Sequence, residues 1–294
     1  MTYLKSFTLP TDLEEGQYLL HSRELSSSVY DECNAYPFKL FPQKGLSEIE
    51  FSEITIFYGG NGSGKSTLLN LIAEKLELPR TVPFNSAPCM VPYLERCKID
   101  VLGRRAPSGS AILCSDGVFD FLLDARTIND AAVRDREALY EDYKARKQSA
   151  VGFTLRSLDD YDALKEAQEV RRSSAGQYIS ARAPKNLSFK SNGESAYLYF
   201  TQKIGENALF LLDEPENSLS PKLQLDLLRF LEESARFFGC QLVISTHSPF
   251  LLSMKGARIY DLDARPVAVR PWTELENVRA YHDFFAARQS EFEK

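Results

Sequence analysis

The feature that most constrains this chain is the run Gly59-Gly60-Asn61-Gly62-Ser63-Gly64-Lys65-Ser66-Thr67. It lies between the β-branched, aromatic segment Ile54-Thr55-Ile56-Phe57-Tyr58 and a stretch with apolar residues at Leu68, Leu69, Leu71, Ile72 and Leu76. The spacing G-x-x-x-x-G-K-[ST], with a strand predicted before it and a helix after it, is that of a phosphate-binding loop. Glycines let the backbone wrap tightly, so that its N–H groups and the helix N-terminus converge on phosphate oxygens. Gly60, Asn61, Gly62, Ser63, Gly64, Lys65, Ser66 and Thr67 are the candidate cradle. Within it Lys65 is placed to reach the β and γ phosphates and Ser66 to ligate Mg²⁺.

Two more apolar runs end in reactive groups. Ala208-Leu209-Phe210-Leu211-Leu212 leads into Asp213-Glu214-Pro215-Glu216, and a buried strand rarely finishes on acids without a cation or a reacting water to justify them. Asp213 is read as a magnesium-shell residue. Glu214, turned to the other side, is read as the group that polarises the attacking water or takes its proton. Gln241-Leu242-Val243-Ile244-Ser245 leads into Thr246-His247-Ser248-Pro249, and in a parallel sheet His247 emerges at the same carboxyl edge. The candidate catalytic set is thus Lys65, Glu214 and His247. Ser191-Asn192-Gly193-Glu194, ahead of the apolar segment Ala196 to Phe200, is by itself no more than a helix-cap pattern. Its position shortly before the Asp213 strand gives it further meaning.

Composition narrows the setting. A chain of 294 residues with 44% hydrophobic and 26% charged residues accommodates one core with an inserted lobe, and no run approaches the length needed to cross a bilayer. The segment after Met1 to Ser6 has neither an apolar core nor a cleavage pattern, so the expected location is cytoplasmic, without membrane insertion. The cysteines (Cys33, Cys89, Cys97, Cys114, Cys240) are scattered and odd in number, which argues against a disulfide frame or a zinc site. A net charge of -6 permits a local basic groove for DNA without indicating one.

The expected fold class is α/β, with a mostly parallel central sheet flanked by helices. One domain spans 1–294. Within it, short runs such as Tyr18-Leu19-Leu20 and Phe38-Lys39-Leu40-Phe41, broken by prolines, predict an antiparallel β subdomain over 1–58. The phosphate-loop core occupies 59–127 and 205–294. A charged, helix-prone lobe that includes Leu158 to Ala167 occupies 128–204, and an amphipathic helix around Leu275 to Phe292 closes the chain.

The ordered set G-x-N-G-x-G-K-S-T, S-x-G-E, hydrophobic-D-E-P-E and S-T-H-S-P resembles the Walker A, signature, Walker B and switch-histidine motifs of ATP-binding-cassette (ABC) ATPases. Within them it is similar to the soluble AAA-type branch with the structural-maintenance-of-chromosomes (SMC) and recombination-repair proteins. The likeness is closest to small bacterial ATPases of unassigned role, which share Tyr36-Pro37-Phe38, Asn192-Gly193-Glu194-Ser195 and Tyr260-Asp261-Leu262. It covers most of the chain from Tyr36 onward. The resemblance implies a P-loop NTPase of ABC-ATPase type that uses ATP and Mg²⁺ and pairs head to tail as a homodimer when ATP binds. Ser191, Asn192, Gly193 and Glu194 of one copy would face the γ phosphate held by Lys65 of the other.

Two departures stand out. Ser218-Leu219-Ser220 occupies the D-loop, with Ser220 where many members carry aspartate, and there is no glutamine from Leu68 to Lys147 to form a Q-loop. Ser115-Asp116 is the candidate replacement, and Tyr36 or Tyr58 the candidate adenine-stacking residue. The leading functional expectation is an ATPase whose dimer closure acts on DNA or an effector protein, in repair or anti-phage defence. The alternatives are a nucleotide-gated partner-binding module with slow turnover, and the ATPase subunit of a transporter, whose L-S-G-G-Q signature this chain lacks.

Overall fold

The computed structural model describes residues 2–21, 35–84, 87–103, 105–150, 173–182 and 191–293. Its strands are β1 (Leu4–Thr8), β2 (Glu48–Glu50), β3 (Ile54–Tyr58), β4 (Lys98–Val101), β5 (Ala111–Cys114), β6 (Leu209–Asp213), β7 (Gln241–Ser245), β8 (Arg258–Asp261) and β9 (Ala268–Val269). The α-helices are α1 (Asp12–His21), α2 (Lys65–Lys75), α3 (Met90–Arg96), α4 (Asp116–Ala150), α5 (Ala175–Arg182), α6 (Asn192–Lys203), α7 (Pro221–Phe237), α8 (Pro249–Leu252), α9 (Glu276–Ala286) and α10 (Gln289–Phe292). The chain divides into two compact units, Met1–Val118 with Ser191–Lys294, and Phe119–Lys190.

The main sheet of the first unit has the order β5-β6-β7-β3-β8-β9, parallel throughout except for the last pair. All five residues of β3 and of β7 are buried, which is why β3 and the centre of β7, Leu242 to Ile244, are continuously apolar or β-branched and do not alternate. Register fixes the functional edge. Asp213 pairs with Ser245, Ser245 with Phe57, and Tyr58 with Asp261, so the loops leaving β6, β7, β3 and β8 all open on one side of the sheet. Helix α2 packs Leu68, Leu69, Leu71 and Ile72 into the core and carries the glycine run at its N-terminus. Helix α7 begins at the Ser220 cap and buries Leu227, Leu231 and Ala235, and Gly239 follows its end at φ 67°.

A second, antiparallel sheet of three strands has the order β2-β1-β4. Its composition differs from the expectation. Tyr18-Leu19-Leu20 lies in α1, where Thr11 and Glu14 form a reciprocal capping box: Thr11 N–H donates to Glu14 Oε2 at 2.8 Å, and Glu14 N–H to Thr11 Oγ1 at 3.3 Å. Phe38 to Phe41 is a turn, with Lys39 at φ 65°, and the third strand comes from Lys98–Val101, beyond the glycine loop in sequence. The buried Gln241 side chain joins the two sheets. It accepts from Leu4 N–H at 2.7 Å and donates to the Leu4 and Ser52 carbonyls at 2.7 and 3.1 Å.

In the second unit, Tyr143 of α4 and Tyr178 of α5 are buried with ring centroids 5.4 Å apart, beside Leu139 and Ala175. Tyr178 donates to Asp142 at 2.8 Å, and the Tyr143 hydroxyl donates to the Ser173 carbonyl at 3.0 Å. The helix expected over Leu158 to Ala167 lies outside the described residues. So does the approach Leu187 to Lys190. The signature helix α6 falls in the first unit, although the sequence reading grouped it with the lobe.

Candidate active site

The glycine run forms a loop whose geometry excludes side chains at defined points. Gly59 has φ 155°, and a Cβ there would lie 2.7 Å from Ser63 Oγ. Gly64 has φ 102°, and a Cβ there would lie 3.1 Å from the Phe41 ring. Gly62, at φ 79°, faces open space. Lys65 is buried and curls back to donate to the carbonyls of Gly59 at 2.7 Å and Gly60 at 3.2 Å. Two residues brace the loop from outside. Lys44 donates to Ser63 O and Leu262 O, each at 2.8 Å, and Asp263 accepts from Gly60 N–H at 2.7 Å.

The acids of β6 meet this loop. Ser66 Oγ donates to Asp213 Oδ1 at 2.9 Å, and Ser245 makes a second, very short hydroxyl bond to the same oxygen. Burial is the largest influence on Asp213 and raises its pKa above the ordinary value, while the two hydroxyl donors pull it back down. Glu214 takes the left-handed conformation at φ 47°, and its N–H donates to both Ser245 O and Ser245 Oγ, at 3.0 and 3.1 Å. Its carboxylate stands 3.7 Å from Lys65 Nζ and 3.8 Å from His247 Nδ1. The same turn brings Asn217 Nδ2 within 3.2 Å of Glu214 Oε2 and 3.3 Å of Ser115 Oγ, so Ser115 borders the site while Asp116 is exposed at the start of α4.

Glu216 was not singled out by its sequence position, yet one of its oxygens organises the histidine loop. Oε1 accepts from Thr246 Oγ1 at 2.6 Å, His247 N–H at 3.0 Å and Ser248 N–H at 3.2 Å. The residue is 5% exposed, and its burial raises the carboxyl pKa. The acid two positions after Glu214 was the only available signal. Lys44, Asp263 and Asn277 carried none, because their partners are distant in sequence.

Lys65, Ser66, Asp213, Glu214 and His247 are therefore gathered at one sheet edge. Ser191 to Glu194 make a helix start: Ser191 Oγ accepts from Glu194 N–H at 3.1 Å, and a Cβ on Gly193 would come 3.0 Å from Ser218 O. Among the described residues, none of their hydrogen bonds reaches the glycine loop. Ser220 caps α7 by accepting from Leu223 N–H at 3.4 Å. Of the two tyrosines, Tyr36 is 39% exposed and its hydroxyl shares a very short hydrogen bond with Thr67 Oγ1. Tyr58 is buried, and its hydroxyl accepts from Asn277 N–H at 3.2 Å.

A family model described as "AAA domain, putative AbiEii toxin, Type IV TA system" matches residues 180–253, the stretch from the signature to just past His247. The maltose/maltodextrin import ATP-binding protein MalK of Vibrio cholerae serotype O1 is 22% identical over 240 residues, 81% of this chain. In fold and motif order, the chain is similar to ABC-type AAA ATPases. MalK of Vibrio vulnificus (strain YJ016) is also 22% identical, over 239 residues. The chain spans 56% of the length of these two relatives. Among solved structures, the SMC head domain from Thermotoga maritima aligns at a TM-score of 0.40 and 15% identity, covering 92% of this chain and 98% of that one. CbiO1 from Clostridium perfringens, part of the ABC transporter complex CbiONQ, aligns at a TM-score of 0.31 and 15% identity, covering 83% and 87%.

The hydroxyl of Ser66 beside the carboxylate of Asp213 is a hard-oxygen donor pair of the kind that suits Mg²⁺, an ion that keeps several waters and takes few ligands from a protein. Among the described residues no helix is long and apolar enough to cross a membrane.

Proposed function

We propose that the chain binds MgATP and hydrolyses it, and that two copies close head to tail around the nucleotide. The observation that carries this reading is the Ser66 to Asp213 hydrogen bond, which joins the phosphate loop to the acidic strand end. Lys65 leaves the Gly59 and Gly60 carbonyls for the β and γ phosphates, a charge-assisted exchange that replaces two neutral acceptors with anionic ones. The loop amides from Gly60 to Thr67 hold the phosphates at the N-terminus of α2. Ser66 and Asp213 would hold Mg²⁺, which would supply charge neutralisation for the phosphates. Glu214 polarises the attacking water, and His247 orients it and contacts the γ phosphate. In-line displacement then needs positioning and charge stabilisation without a covalent intermediate. The exposed Tyr36, anchored to Thr67, is the better placed of the two tyrosines to stack on adenine.

The exposed start of α6 supports pairing, since Ser191 and Asn192 face solvent with a helix N-terminus behind them, where the partner's γ phosphate would be received. Closure of this cytoplasmic dimer acts on DNA or an effector protein, in repair or anti-phage defence. The test measures ATP retention, oligomeric state and phosphate release for purified protein with and without double-stranded DNA, beside Lys65→Ala. Steady release that requires Lys65 supports hydrolysis. ATP-dependent pairing with very slow release favours the nucleotide-gated binding module. Failure to retain nucleotide in the presence of magnesium overturns the reading.

The similarity to MalK favours a second reading, an importer's ATPase subunit. Against it stand the Ser191-Asn192-Gly193-Glu194 signature and the absence of glutamine between Leu68 and Lys147. Co-purification of the tagged chain with an integral membrane partner would favour the transporter assignment.

A further inference from the structure

His247 is held through the peptide groups on both sides of its Cα. Its N–H donates to Glu216 Oε1 at 3.0 Å, and its carbonyl accepts from Asn277 Nδ2 at 2.7 Å. Its ring is 49% exposed, 3.8 Å from Glu214 and 3.7 Å from Glu216, so among the described residues no tight side-chain bond fixes it, and the main-chain anchors set the point from which it reaches. Asn277 itself stands on a rigid base. It lies in the first turn of α9, and its N–H donates to the hydroxyl of buried Tyr58, the last residue of β3 and the neighbour of Gly59. A carbonyl can only accept, so the amide nitrogen must be the atom facing His247. That choice leaves Asn277 Oδ1 buried without a partner among the described residues, an arrangement that costs stability. Between Tyr58, Gly60, Asn61, His247, Asn277 and Tyr281 lies an open groove of ≈ 520 Å³, so the bond forms one wall of a space beside the phosphate loop.

From this geometry we infer that Asn277 is a positioning residue for hydrolysis: it holds the His247 carbonyl and so sets the direction of the imidazole, linking the helix α9 to the switch loop. The inference rests on the proposed role of His247 at the γ phosphate. Losing a hydrogen bond that aims a catalytic group lowers turnover without weakening nucleotide binding, because Asn277 does not touch the phosphate-holding side chains.

The test combines Asn277→Ala, Asn277→Asp, His247→Ala and the double variant Asn277→Ala/His247→Ala, with kcat and ATP affinity measured for each. Asn277→Asp keeps the size and the main-chain bond to Tyr58 but has no donor for the carbonyl. Both Asn277 variants are expected to lose about tenfold in kcat with ATP affinity within about twofold of wild type. In the His247→Ala background, Asn277→Ala is expected to cause no further loss. Wild-type kcat in the Asn277 variants, a loss that adds fully to that of His247→Ala, or affinity falling in step with kcat would each overturn the inference. So would loss of the cooperative thermal transition in both Asn277 variants, which would make the bond purely structural. If His247→Ala turns over at the wild-type rate, or the wild-type chain fails to bind or turn over ATP, the underlying reading fails instead and takes the inference with it.

Discussion

Ser66 and Asp213 lie 147 positions apart in the chain and meet at 2.9 Å, the hydroxyl of the first donating to the carboxylate of the second. This contact ties the loop after β3 to the end of β6. It also confines the negative charge of Asp213 in a place where water cannot fully solvate it.

Stability should report that confinement. Burial raises the Asp213 pKa, so its contribution to stability is fully present below the ordinary carboxylate range of about 4 and is lost as pH rises through the folded-state value. Asp213→Asn, which carries no charge, should raise the Tm of the nucleotide-free protein at neutral pH by on the order of a few degrees and flatten its pH dependence on the mildly acidic side. Calorimetry across that range checks the sign, and a lower Tm for the variant at neutral pH would count against it. Phosphate release should fall to background.

Glu214 lies 3.7 Å from Lys65 without contacting Ser66 or Asp213 among the hydrogen bonds of the described residues. Glu214→Gln should keep ATP binding, slow turnover by about 10²- to 10⁴-fold and accumulate an ATP-bound dimer visible by light scattering. Hydrolysis at the wild-type rate would remove Glu214 from the mechanism.

Glu216 supports the histidine loop through three donors on one oxygen. At about 1 kcal/mol per hydrogen bond, Glu216→Ala should lose roughly 2 to 3 kcal/mol in urea unfolding. Turnover should fall about tenfold or more while ATP still binds, because the loop carrying His247 is released and the phosphate cradle is not.

Ser220 stands where the resemblance to ABC ATPases leads one to expect the D-loop aspartate, and its hydroxyl is engaged as a helix cap. Ser220→Ala should cost about 1 kcal/mol of stability and leave turnover unchanged. A marked loss of ATP-driven pairing in this variant would show instead that the hydroxyl acts across the dimer seam.

The legible parts of the molecule were those in which one short segment carries its own physical cause. The glycine run, the apolar strands β3, β6 and β7, and the acids at the end of β6 each announce a local conformation or an unusual charge. Helix α1 stands where an edge strand is expected, because the Tyr18-Leu19-Leu20 run reads equally well as strand or helix when taken alone; the capping pair Thr11 and Glu14 is the local signal that favours the helix. The strand Lys98–Val101 belongs to the sheet of β1 and β2 only because the chain returns there after α3, and a pairing with a segment so far away leaves no mark in either sequence.

What the sequence determined by itself is the cradle and its chemistry, since glycine conformations, a lysine next to a helix N-terminus and acids ending a buried strand are demanded residue by residue. The tertiary structure decided which distant groups act on that chemistry. Sheet order brings Ser245 to Asp213, the turn after β6 sends Glu216 under His247, and the bond from Asn277 N–H to the Tyr58 hydroxyl at the end of β3 holds Asn277 beside the same loop. Which of these segments meet depends on the relative placement of whole elements, which is set by burial of their apolar faces.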